Sequence, residues 1–65
     1  METTSKIEPL AHSPESAAKR ISESVRAVYT HIATGELRSY KSGKRRLIPD
    51  AELQRYVQRK MSEAA

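Results

Sequence analysis

Cysteine is absent from this chain, and so are phenylalanine and tryptophan. Without a thiol, neither a disulfide framework nor a thiolate metal site can form, and the absence fits a reducing compartment. Without the two largest apolar aromatics, the core has to come from aliphatic residues and three tyrosines. No apolar run approaches the roughly 20 residues of a membrane span. The opening METTSKIEP lacks the hydrophobic stretch of a secretory signal. No segment repeats at a solenoid-like period. The expectation is a cytoplasmic protein with no membrane partner. At 65 residues the chain forms one domain, and a domain of that size buries only about 60% of the surface its unfolded form exposes. Little room remains for a catalytic cleft with a supporting shell.

Chemistry-bearing constellations are also missing. Ser, His and acidic residues occur, but no spacing supplies an activated nucleophile or a paired-carboxylate site. With two glycines in the whole chain, there is no Gly-rich phosphate loop. His31 has no His, Cys or acid at ligand spacing, so it is expected to be a neutral surface histidine rather than a metal ligand. The expectation is no enzyme, no catalytic residue, no metal and no cofactor.

What is present is an uneven charge. The net charge is +4, yet residues 19 to 46 hold eight Lys or Arg against two acids, a net of +6. The remaining residues hold four bases against six acids. Positive charge gathered on one stretch is expected where a surface meets a polyanion.

Punctuation along that stretch defines its elements. Ser13-Pro14 is a hydroxyl cap followed by the residue tolerated at the first helical position. A short first helix follows with Ala17, Ala18 and Ile21 inward, and Leu10 is expected to pack beneath its cap. Ser22-Glu23-Ser24 is the turn, with Ser24 as cap of a second helix from Val25 to Thr34. Val25, Val28, Tyr29 and Ile32 fall at i, i+3, i+4 and i+7, one apolar stripe. Gly35 suits the left-handed stop. Leu37 to Lys41 and Arg45 to Ile48 read as two short strands around a turn at Ser42-Gly43-Lys44. Pro49 opens a last helix with Asp50 and Glu52 near its N-terminus, Leu53, Tyr56, Val57 and Met61 as its apolar face, and Arg59 and Lys60 near its C-terminal end.

The expected architecture is mainly α with a small β-hairpin, a winged helix-turn-helix of three helices and a two-stranded wing. It occupies residues 10–62, between a flexible arm at 1–9 and a frayed tail at 63–65. Two helices at this separation leave one free to enter the major groove, and the hairpin can reach the flanking backbone.

These residues resemble the excisionase family of small winged-helix proteins, whose helix-turn-helix is like that of MerR regulators. The resemblance is carried by Ala17-Ala18, Ser24, Val28-Tyr29, Ile32, Gly35-Glu36-Leu37, Gly43, Arg45-Arg46, Ile48-Pro49 and Leu53, across roughly residues 10 to 58. It implies a sequence-specific duplex DNA-binding protein with the second helix in the major groove and the wing along the minor groove. Many members are recombination directionality factors that bend attachment-site DNA and help an integrase excise. The partners so implied are duplex DNA, a phage integrase and further copies bound cooperatively, in the nucleoid of a bacterial host. Other members are transcriptional regulators. The sequence departs from the family at two places. Ser22-Glu23 stands where glycine and an aliphatic residue are usual, and Thr30 where a basic residue is common.

Candidate DNA-binding residues follow from place and chemistry. Arg26, near the start of the second helix, can donate two hydrogen bonds to guanine O6 and N7, unless it pairs with Glu23. Ser24, Ala27 and Thr30 share that end or face of the helix. The Tyr29 ring is expected in the core with its hydroxyl available to a phosphate. Lys41, Lys44, Arg45 and Arg46 surround the hairpin tip and can reach phosphates or the minor groove. Strand alternation places Arg46 with Ile48, so its stem packs while its head stays free. A protein-interaction module with a basic docking face is the alternative of another class.

Overall fold

A computed structural model describes residues 10–64. The arm expected at residues 1–9 and the last residue, 65, lie outside the described residues. The elements in chain order are β1 (Ala11–His12), α1 (Pro14–Arg20), α2 (Val25–Thr34), β2 (Tyr40–Ser42), β3 (Arg45–Pro49) and α3 (Asp50–Ala64). This is the expected winged helix-turn-helix with three helices and an antiparallel hairpin.

Both helix starts follow from their hydroxyl caps. Ser13 accepts from the Ser16 amide at 3.2 Å with Pro14 in the first turn, and Ser24 accepts from the Ala27 amide at 3.0 Å. Each cap satisfies one of the amides a helix leaves without a partner. Gly35 closes α2 in the left-handed region, φ 87°. Gly43 takes φ 64° at the first of the two residues between β2 and β3, the arrangement that suits the twist of a tight hairpin.

The turn between α1 and α2 is a Schellman closure. The Glu23 amide donates to Ala18 O at 2.9 Å and the Ser22 amide to Lys19 O at 3.3 Å. That closure needs a left-handed residue at position 22, where glycine is the usual solution. Ser22 adopts it with φ 59°. A side chain in this region costs roughly 1–2 kcal/mol, and Ser22 is exposed, with no packing to lose. Ser22→Gly is therefore expected to stabilise the protein by about 0.5–1 kcal/mol, once glycine's greater freedom in the unfolded chain is subtracted. In a domain of this size, that raises the thermal midpoint by roughly 2–8 °C. A midpoint equal to or below that of the wild type refutes the strain at Ser22.

Glu23, the other departure in the turn, is held from two sides. Tyr56 Oη donates to Glu23 Oε2 at 2.6 Å, and His31 Nε2 lies 2.8 Å from Glu23 Oε1. The Tyr56 hydrogen bond, with help from His31, outweighs burial and lowers the Glu23 pKa. Burial, then the Glu23 carboxylate, pushes the Tyr56 hydroxyl up to about 12, so it remains a donor. His31 is thus no surface histidine. Its ring packs 4.9 Å from that of Tyr56, centroid to centroid, and ties α2 to α3.

The core comprises Ala17, Ala18, Val28, Leu37, Ile48, Leu53 and Tyr56, with Ile21, Val25 and Ile32 packed against it. Its composition is aliphatic with one tyrosine, as the missing aromatics require.

Several local expectations are corrected. The first wing strand begins at Tyr40, not Leu37. The Leu37 amide closes α2 on His31 O, and the Arg38 amide donates to Glu52 Oε1, so neither is available to a ladder. Leu37 is instead a buried plug. The sheet gains a third strand, with Ala11 opposite Pro49 and His12 opposite Ile48. Pro49 therefore ends β3, and α3 starts at Asp50. Leu10 is 89% exposed rather than packed under the cap, and the buried residue there is His12. Val57 and Met61 are exposed, because only Leu53 and Tyr56 of α3 reach the core. Arg59 and Lys60 are not in the last turn of α3, which runs to Ala64, through two of the residues expected to fray. They meet Glu36 instead: Arg59 donates to its carbonyl at 3.1 Å, and Lys60 Nζ lies 3.4 Å from its carboxylate.

Candidate nucleic-acid interface

Burial of Val28, with Val25 and Ile32 packed on the core, decides which face of α2 looks outward. Arg26, Tyr29, Thr30, Ala33 and Thr34 are exposed. They fall at i, i+3, i+4, i+7 and i+8, one continuous helix face. Tyr29 belongs to that face. It is 49% exposed, a correction to its expected place in the core. A helix of radius 5–6 Å with side chains fits the major groove.

The wing has two distinct sides. Lys41 lies opposite Arg46, while Tyr40 lies opposite Leu47 and Ser42 opposite Arg45. Paired residues share a side, and alternation puts Lys41 and Arg46 on the same side as buried Ile48. Arg46 is half-buried there, and its Nη1 donates to Ser39 Oγ at 2.7 Å. Arg45 and Lys44 are exposed at the tip, as are Lys41 and Ser42.

Ion pairing divides the cations into two sets. Arg20 pairs with Asp50, Arg55 with Glu52, and Arg59 and Lys60 with Glu36. Among the described residues, Lys19, Arg26, Arg38, Lys41, Lys44, Arg45 and Arg46 form no ion pair. Glu23, the acid nearest Arg26 in sequence, is occupied by Tyr56 and His31. Every described cation of α3 is matched, whereas those on the outer face of α2, on the following loop and in the wing are not. Uncompensated charge on a helix-turn-helix and wing is the arrangement that meets phosphates.

Residues 13–61 match the profile of a family described as the helix-turn-helix domain. The chain belongs to that family. The helix-turn-helix domain is a DNA-binding unit. No curated protein and no solved structure matches the chain.

Within the helix-turn-helix domain, the candidates named from sequence separate by environment. Ser24 and Ala27 are joined by the cap, so the Ser24 hydroxyl oxygen already has a partner. The amides of Val25 and Arg26 precede the helical ladder and remain open to an anion. Arg26, Tyr29 and Thr30 share the outer face of α2, and Lys41, Lys44 and Arg45 extend from the wing. Arg46 is partly engaged in holding the wing to the loop at Ser39. Sequence reasoning missed Arg38, an unpaired exposed cation whose backbone amide is fixed by Glu52. Its position inside the expected strand concealed it, since the loop conformation depends on a carboxylate 14 residues away. Among the described residues no cluster of His, Cys, Asp or Glu could hold a metal, and no helix is long and apolar enough to cross a membrane.

Proposed function

We propose that this helix-turn-helix domain is a sequence-specific architectural protein, a recombination directionality factor that bends attachment-site DNA and promotes excision by an integrase. The sorting of its cations carries this reading: those of α3 and Arg20 of α1 are paired with acids, and the unpaired ones, Lys19 of α1 apart, lie on α2, the loop and the wing. Arg26, Tyr29 and Thr30 read or clasp DNA from the major groove. Ser24 and Ala27 bring the open amides of the α2 N-terminus to a phosphate. Lys41, Lys44, Arg45 and Arg46 follow the backbone or the minor groove. The protein supplies no chemistry of its own, needs no cofactor and acts at the nucleoid. An integrase and further copies of the same chain are its protein partners. The ordered Val28-Tyr29, Gly35-Glu36-Leu37 and Gly43-Lys44-Arg45-Arg46 motifs support excisionase over other helix-turn-helix roles.

The first test is salt. If about five phosphates are neutralised, log affinity falls with log salt at a slope of roughly −4 to −5. Arg45→Ala should reduce that slope by about 1 and weaken all sequences alike, with no loss of thermal stability because Arg45 is exposed and unpaired. A slope near zero on every duplex removes the DNA reading. The second test is the attachment site. The protein should protect and bend that DNA, and should raise excision by the integrase encoded with it. Protection without any effect on excision points to a transcriptional regulator.

A further inference from the structure

Two threonines on the outer face of α2 have their hydroxyl protons engaged. Thr30 Oγ1 donates to Arg26 O at 3.1 Å, and Thr34 Oγ1 donates to His31 O at 3.2 Å. A threonine bonded back to the preceding turn has no proton left to offer, and its methyl becomes its outward contribution. Ala33 places another exposed methyl beside them. The face is therefore graded, with the Arg26 guanidinium at its start and methyl groups at 30, 33 and 34.

What α2 lacks narrows the chemistry further. VRAVYTHIAT contains no Asn or Gln to pair with adenine N6 and N7, and no Asp or Glu to accept from cytosine N4. His31 is turned toward Glu23 and Tyr56. Besides the Tyr29 hydroxyl and the lone pairs of the threonine oxygens, the base contacts left to this helix are a guanidinium to guanine and a methyl to the 5-methyl of thymine.

We infer that α2 reads thymine 5-methyl groups through the Thr30 methyl, with Ala33 and Thr34 continuing the row, next to a guanine held by Arg26. This rests on α2 as the reading helix of the proposed function and adds the base class it prefers. Thr30, which stands where a basic residue is common in the excisionase family, then exchanges a charged contact for an apolar one.

The test couples one protein methyl to one DNA methyl. Tight-binding duplexes are selected from a randomised pool, and each thymine of the best one is replaced singly by deoxyuridine, which removes only the 5-methyl. At one or two thymines near the preferred guanine, affinity of the wild type should fall about fourfold, the ratio corresponding to one buried methyl of about 0.8 kcal/mol. Thr30→Val keeps the methyl and loses the hydroxyl, so it should behave as wild type. Thr30→Ser should bind the thymine duplex about fourfold more weakly and no longer distinguish thymine from deoxyuridine at that position. Thermal melting of both variants establishes that each is folded. The inference is overturned if Thr30→Ser retains the full thymine preference. It is equally overturned if Thr30→Val alone loses affinity, because the hydroxyl oxygen then accepts from an adenine or cytosine amine. Selection of a strong site at which every deoxyuridine is neutral removes this inference and leaves DNA binding standing. Failure to bind any duplex in a salt-dependent way removes both.

Discussion

Asp50→Ala should lower the thermal midpoint of the protein by roughly 10 °C or more at neutral pH. Asp50 is 7% exposed and stands where three elements converge. Its Oδ1 accepts from Arg20 Nε at 2.9 Å and from His12 Nε2 at 2.7 Å, while Oδ2 accepts from Gln54 Nε2 at 2.8 Å. Its backbone amide donates to Leu10 O at 2.8 Å. One carboxylate thus joins β1, the end of α1 and the start of α3. Ser16 Oγ, 3.0 Å from His12 Nδ1, extends the cluster to the first turn of α1. Truncation leaves the buried His12 imidazole without its acceptor and takes a carboxylate from the Arg20 guanidinium, which is 39% exposed, a loss of roughly 3 kcal/mol. Domains are stable by only about 5–15 kcal/mol, and one this small lies toward the lower end. Circular dichroism against temperature checks the expectation, and a midpoint within a few degrees of wild type would refute it.

The same carboxylate sets the acid limit of the fold. Hydrogen bonds from Arg20, Gln54 and His12 outweigh burial and hold Asp50 well below the usual carboxylate range. A folded pKa below the unfolded one contributes stability that is fully present above the unfolded value, near 3.9, and is lost as pH falls beneath it. Glu23, lowered chiefly by Tyr56, acts in the same direction. Stability should therefore decline as pH falls through about 4, and a destabilised but folded Asp50→Asn protein should show a flatter decline.

Arg26→Ala should change sequence preference rather than fold. Arg26 is exposed, lacks an ion pair, and lies one turn before Thr30 on the outward face. Loss of a bidentate guanine contact costs about 1–3 kcal/mol and relaxes preference at one base pair. Competition between the best site and its single-base variants, for both proteins, measures this. Equal weakening on every variant would make Arg26 a phosphate clamp, and unchanged binding would mean that α2 does not enter the groove as its exposed face suggests. Thermal stability should be nearly unaltered, which separates this loss from that at Asp50.

The helices were legible because their signals are local. Ser13-Pro14, Ser24 and Gly35 act within one turn of their own positions, so caps and stops appear in the chain as they do in the fold. The wing tip was legible for the same reason, since Gly43 alone permits its two-residue turn. Leu37 and Leu10 were misplaced because their environments come from partners far along the chain. Tyr29 was misplaced because a tyrosine at the edge of a stripe satisfies either side, and packing of Val25, Val28 and Ile32 settled which.

By itself, the sequence determined the helix-turn-helix, the wing and the excess of positive charge, all fixed by short-range capping, periodicity and composition. Only the tertiary structure decided which charges are free. Asp50 and Glu36 take up Arg20, Arg59 and Lys60, and Tyr56 and His31 take up Glu23. Ion pairs between distant residues depend on distances that no local pattern encodes. The cations they leave unmatched on α2, the loop and the wing are therefore a property of the folded chain.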